Sequence, residues 1–169
     1  MSKSIDVKAL TRIRLVAFDV DGVFTDGRFY LSNDGVESKS FSTHDGYGIR
    51  RLLDAGINVA IISGRNSAAV DQRMNELGVK FVVQGCGDKI AAFNAIAKEL
   101  AIGDTETAYV GDDLPDLPLL NQVAISFTVA NAVAELREHC DYATNARGGF
   151  GAVREVCDLL LSARQQGDA

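Results

Sequence analysis

Short apolar runs alternate with amphipathic stretches along nearly the whole chain, and only a few residues join one to the next. Leu15–Phe18, Asn58–Ile62, 80–83, 107–110, 124–127 and Tyr142–Ala143 read as short strands, the first of them apolar throughout and so buried on both faces. Between them, helices are expected over 47–55, 67–77, 89–100 and 132–139, the first two stopped by Gly56 and Gly78, with a last amphipathic helix over 153–164. Such alternation predicts an α/β fold: a doubly wound parallel sheet with helices on both faces and right-handed crossovers. Its 169 residues contain no repeat, low-complexity tract or linker, so one domain over 1–169 is expected, with only 165–169 frayed.

One connection breaks the rhythm. After the first strand come residues 28–41, where Asn33-Asp34-Gly35 sits between short alternating segments and signals a β-hairpin. An isolated hairpin is marginal in water. This flap is therefore expected to pack on something, and another subunit is the natural choice.

The chemistry gathers at the strand ends. The first strand runs into Asp19-Val20-Asp21-Gly22, where the glycine lets the backbone turn and two carboxylates stand one residue apart. Ser63 ends the second strand, Lys89 opens the third helix, and Asp112, Asp113 and Asp116 follow the fourth strand. In a doubly wound sheet these ends converge on one crevice. Asp19 and Asp112 offer hard oxygen ligands of the kind Mg²⁺ takes, Ser63 and nearby amides suit phosphoryl oxygens, and Lys89 adds a fixed positive charge. The set is suited to phosphoryl transfer, in which placement and charge neutralisation do most of the work. Taken singly, each has a plainer reading: turn aspartates, a strand-end serine, a surface lysine, helix-start acids.

A net charge of −6 argues against nucleic acid as partner. Cys86, Cys140 and Cys157 are odd in number and widely spaced, which suits reduced thiols in the cytoplasm. No apolar segment reads as a leader in residues 1–10, and no run is long enough to span a membrane, so no membrane partner is expected.

Asp-Val-Asp-Gly-Val at 19–23, Ile-Ser-Gly-Arg at 62–65, Lys89, and Gly-Asp-Asp-Leu-Pro-Asp at 111–116 resemble, in order and spacing, the four motifs of the haloacid dehalogenase superfamily of phosphatases. The resemblance implies a Rossmann-like phosphatase with Mg²⁺ as cofactor. Asp19 would be the nucleophile that forms an aspartyl-phosphate, and Asp21 the acid and base, its proton affinity raised by the neighbouring acid. Asp19, Asp112 and the main-chain carbonyl of Asp21 would hold the metal. Ser63 and Lys89 would bind the phosphoryl group, with Asp113 or Asp116 supporting the metal or Lys89. The superfamily's inserted cap domain is missing here, with only the hairpin in its place.

Phe41 to Ile49, Ser63-Gly64-Arg65 and Gly148 to Glu155 further resemble the 3-deoxy-D-manno-octulosonate 8-phosphate phosphatase family. That likeness implies a small phosphorylated sugar acid as substrate, in lipopolysaccharide precursor synthesis. It places substrate contacts at Asp21, Ser42, Thr43, His44, Asp45, Gly46, Arg50, Arg65, Arg73 and Lys89, with a homotetramer whose active sites lie near subunit interfaces. It also has the glycine-rich 148–151 segment help the C-terminal part cover a neighbouring site. Two rivals stand beside it: a sister phosphatase for a nine-carbon sugar-acid 9-phosphate, and a phospho-accepting receiver domain.

Overall fold

The computed structural model describes residues 5–167. In chain order its elements are α1 Val7–Thr11, β1 Leu15–Phe18, β2 Tyr30–Leu31, β3 Glu37–Ser38, α2 Thr43–Asp54, β4 Asn58–Ile62, α3 Ala68–Leu77, β5 Phe81–Val83 and α4 Lys89–Glu99. There follow β6 Thr107–Gly111, α5 Leu117–Leu120, β7 Ile125–Thr128, α6 Ala134–His139, β8 Tyr142–Ala143 and α7 Ala152–Gly167. Six strands form one parallel sheet in the order β5-β4-β1-β6-β7-β8, and β2 pairs antiparallel with β3 in the separate hairpin.

β1 occupies the middle because all four of its side chains are apolar and none reaches solvent. It pairs with β4 on one side and β6 on the other, Leu15 to Phe18 opposite Asn58 to Ile61 and Thr107 to Val110. From β1 the chain steps outward through β4 to β5, then crosses back to β6 and steps the other way. With one hand of crossover, that reversal sends α2 and α3 to one face and α4 and α5 to the other. α7 returns to pack on α2 and α1. The reversal leaves a crevice beyond the carboxyl ends of β1 and β6, where an open α/β sheet binds its ligand.

Three of the differences from expectation bear on how the helices pack. α2 begins at Thr43 rather than Tyr47, despite Gly46 and Gly48 in its first two turns. Glycine weakens a helix interior, but here it allows close packing: a Cβ on Gly48 would stand 3.0 Å from Arg154 Cδ and 3.1 Å from Cys157 Sγ on α7. Val7–Thr11, to which the sequence pattern assigns no element, forms α1, with Asp6 capping it by accepting from the Lys8 amide. α1 in turn packs on α7, which stays helical through Gly167 instead of fraying at 165; residues 168–169 lie outside the described residues.

Candidate active site

Asp19 continues the β1 ladder by one residue, its amide donating to Val110 O at 2.9 Å on β6. The chain then turns at Gly22, whose φ of +88° favours glycine, and the Thr25 hydroxyl closes the turn by accepting from the Gly22 and Gly27 amides, both at 3.2 Å. Apolar Val20, Val23 and Phe24 are buried beneath, and the Phe24 ring meets Phe18 edge-on at 5.5 Å. The turn that carries Asp19 and Asp21 is therefore anchored to the core on one side and open on the other.

After β6, Asp116 organises the facing loop. It is 1% exposed, and its two oxygens accept from four donors. Oδ1 takes the Tyr109 hydroxyl and the Lys89 ammonium, both at 2.7 Å, while Oδ2 takes the amides of Asp112 at 3.0 Å and Asp113 at 3.3 Å. Asp113 caps the same turn by accepting from the Leu114 amide at 2.8 Å. Asp116 is thus the acid that supports Lys89, and Asp113 is spent on the backbone.

Lys89, at the start of α4, crosses the crevice to Asp19 Oδ1 at 3.0 Å. Burial works against its charge, but the Asp19 and Asp116 carboxylates hold its pKa above the ordinary lysine value. Burial, then the Asp116 carboxylate, pushes Asp19 up to about 6. Burial, then the Asp19 and Asp116 carboxylates, pushes Asp112 up to about 7. Oxygens of Asp19, Asp112 and Asp116 lie within 4.8 Å of one another. Asp116 has its lone pairs filled, which leaves Asp19 and Asp112: two hard, crowded carboxylates whose mutual repulsion a divalent cation relieves. That donor set fits Mg²⁺.

The crevice is a cleft of about 290 Å³ lined by Asp19, Asp21, Ser63, Arg65, Lys89 and Asp112, among others. Ser63 is buried at its wall, its hydroxyl oxygen accepting from the Arg65 amide at 3.3 Å. Asp21 differs from expectation in its neighbours. The charges paired with it are basic: Lys39 Nζ bonds Oδ1, and Arg65 Nε lies 3.9 Å from Oδ2. Glu37 joins both cations, 2.6 Å from Arg65 and 3.6 Å from Lys39, and Phe29 stacks under the Arg65 guanidinium at 4.2 Å. The hairpin thus reaches its own chain's cleft through two acids and two bases.

The remaining expected contacts lie elsewhere in the single chain. Ser42, Thr43 and His44 line a separate surface groove with Phe41 and Phe150. Asp45 is 1% exposed and accepts from the Arg154 amide at 2.9 Å, which makes it a cap for α7. Gly46 faces the Arg73 guanidinium, while Arg73 and Arg50 both bond Glu76, through its carboxylate at 3.4 Å and its carbonyl at 3.3 Å respectively. None of these lines the acidic cleft. Gly148 and Gly149 press on their own chain's Gly22, Thr25 and Asp26. Sequence reasoning missed Tyr109, Lys39 and Glu37. A strand-interior tyrosine and alternating hairpin charges look the same whether or not they face a site.

Residues 82–153 match the family model described as haloacid dehalogenase-like hydrolase. The chain is 48% identical over 162 residues to the 3-deoxy-D-manno-octulosonate 8-phosphate phosphatase KdsC of Escherichia coli (strain B / BL21-DE3), covering 95% of this chain and 86% of that one. Among solved structures, the 3-deoxy-D-manno-octulosonate 8-phosphate phosphatase of Yersinia pestis matches with a TM-score of 0.93 at 43% identity, over 96% of this chain and 88% of the other. The phosphatase of Moraxella catarrhalis, solved in complex with magnesium ion, phosphate ion and KDO, matches with a TM-score of 0.92 at 42% identity, over 96% and 93% of the two chains.

Proposed function

This chain belongs to the 3-deoxy-D-manno-octulosonate 8-phosphate phosphatases, a branch of the haloacid dehalogenase-like hydrolases, and on that premise we propose how its residues divide the work. It is a Mg²⁺-dependent phosphoric monoester hydrolase that cleaves 3-deoxy-D-manno-octulosonate 8-phosphate to the free sugar acid and phosphate. The rival nine-carbon and receiver readings have no counterpart among the relatives described above.

Asp19 attacks phosphorus: its Oδ–P bond forms as the bond from phosphorus to the sugar oxygen breaks. Asp21 gives a proton to that departing oxygen, releasing the sugar acid as an alcohol. Asp21, now a carboxylate, takes a proton from water, whose oxygen bonds phosphorus as the Asp19–phosphorus bond breaks. Lys89 and Ser63 hold the phosphoryl oxygens, and Arg65 is placed for the sugar acid's carboxylate. Asp19, Asp112 and the main-chain carbonyl of Asp21 would hold Mg²⁺, which when bound would supply positive charge against the phosphoryl group. The observation that carries this reading is the 3.0 Å approach of Lys89 to Asp19 beside Asp112, at the point where the sheet reverses direction.

The whole chain acts as one capless catalytic unit. An open cleft is poorly shielded from water, and the hairpin exposes Phe29, Tyr30, Leu31 and Val36 beside it. We assign those side chains to subunit contacts in a homotetramer, with Ser42, Thr43, His44, Asp45, Gly46, Arg50 and Arg73 completing a substrate site near the boundary. Cys86, Cys140 and Cys157, present as thiols, suit a cytoplasmic enzyme, and among the described residues no helix is long and apolar enough to cross a membrane. Phosphate release from a panel of sugar phosphates, with and without Mg²⁺, tests the reading. Strong preference for the eight-carbon sugar-acid phosphate is expected, and equal rates on all would defeat it.

A further inference from the structure

The Lys89 ammonium has three N–H donors and meets three acceptors within its own chain: Asp116 Oδ1 at 2.7 Å, Asp19 Oδ1 at 3.0 Å and the Tyr109 phenol oxygen at 3.2 Å. The three differ in kind. Asp19 faces the cleft and takes part in the chemistry. Tyr109 and Asp116 are 0% and 1% exposed, and they also bond each other, the phenol donating to Asp116 Oδ1 at 2.7 Å. Burial, together with the Asp116 and Asp19 carboxylates, pushes the Tyr109 phenol well above its ordinary pKa, so it keeps its proton and remains the donor in that bond.

We propose that Tyr109 is a positioning residue for the reaction: the Tyr109–Asp116–Lys89 triangle fixes two of the ammonium's donors and aims the third at Asp19 and the phosphoryl oxygens. The inference rests on the reading of Lys89 as the phosphoryl-binding cation. Its physical basis is competition for one buried oxygen. Asp116 Oδ1 takes two donors, and a buried carboxylate short of donors draws in any that can move. Remove the phenol hydroxyl, and Asp116 loses one donor while Lys89 loses one acceptor. Both losses are made good by the same movement, the ammonium shifting toward Asp116 and away from Asp19 and the phosphoryl group. No charge changes, so the effect is one of placement alone.

Tyr109→Phe keeps the ring that fills the core and deletes only the hydroxyl. Inhibition by inorganic phosphate in the presence of Mg²⁺, together with kcat and KM, is measured on wild type, Tyr109→Phe, Lys89→Met and the double variant. Tyr109→Phe should weaken phosphate inhibition by about tenfold, the worth of one charge-assisted hydrogen bond, with a fall in kcat as well. Lys89→Met should weaken it further, and adding Tyr109→Phe to Lys89→Met should cost nothing more, because the two act through one group. Phosphate inhibition and kcat in Tyr109→Phe within about twofold of wild type would overturn the proposal, whatever the melting temperature, as would additive losses in the double variant. If Lys89→Met itself binds phosphate as wild type does, the assignment of Lys89 falls, and the role of Tyr109 falls with it.

Discussion

Gly22 stands directly against the Asp112 carboxylate: a Cβ at that position would lie 1.9 Å from Asp112 Oδ2. The contact joins the turn after β1 to the loop after β6, and it brings the two acidic loops as close as backbone and carboxylate allow.

Gly22→Ala should therefore act on the metal before it acts on the substrate. The added methyl displaces the Asp112 carboxylate, and the left-handed backbone at φ +88° adds strain. The Mg²⁺ concentration for half-maximal activity should rise by about tenfold or more, in the range seen when groups that orient metal ligands are disturbed. A Mg²⁺ titration of phosphate release checks it.

Asp19→Asn should abolish phosphate release, since the amide cannot form the aspartyl-phosphate. Asp21→Asn should slow it by about 10²- to 10⁴-fold, the usual contribution of a placed acid–base group. Single-turnover assays on protein free of wild type separate the two. Robust turnover by the Asp19 variant would remove the nucleophile from the scheme.

The acidic pair also sets a pH dependence of stability. Asp19, with its pKa at about 6, and Asp112, at about 7, hold protons in the folded chain that the unfolded chain loses around pH 4. The folded state binds more protons between those limits, so stability in metal-free buffer should fall as pH rises from about 4 to about 7 and then level off. Mg²⁺ needs both carboxylates ionised, and its stabilising effect should grow across the same window. Melting temperatures measured from pH 4 to 8, with and without Mg²⁺, test both trends.

Asp45 caps α7 from α2, so Asp45→Ala should lower stability by about 1–2 kcal/mol, a few degrees in melting temperature for a chain of this size. Its effect on KM decides whether the same carboxylate also meets substrate near a subunit boundary. An unchanged KM with a lowered melting temperature confines Asp45 to the helix cap.

Tyr30 and Leu31 are 74% and 64% exposed on the hairpin, an apolar edge that a single chain leaves in water. If the proposed homotetramer forms through this edge, Leu31→Asp should dissociate it, with a drop in mass by light scattering and a loss of activity on the sugar-acid phosphate. A wild-type chain already monomeric at assay concentration would remove the assembly from the account.

Much of the site was legible because its main acids and its lysine sit where local patterns change. Asp19, Asp21 and Asp112 end apolar strands, Ser63 follows one, and Lys89 opens a helix behind the Asp88 cap. The start of α2 was not legible, because its glycines speak against a helix until α3 packs on Gly46 and α7 on Gly48. Asp45 and Arg154 stand 109 residues apart, and Lys39 and Asp21 stand 18 apart across a hairpin. Local periodicity carries no information about pairs at such distances.

What the sequence determined by itself was the alternation that forces a parallel sheet, and hence the crevice where that sheet reverses with its strand-end acids beside it. Only the tertiary structure decided the partners inside it: that Asp116 fastens Lys89 with the help of Tyr109, that Lys39 from the hairpin pairs with Asp21, and that Asp45 serves a helix. Strand and helix periods follow from backbone geometry, residue by residue. Which polar groups meet depends on how the layers close, and there each buried donor and acceptor must find a partner from a distant part of the chain.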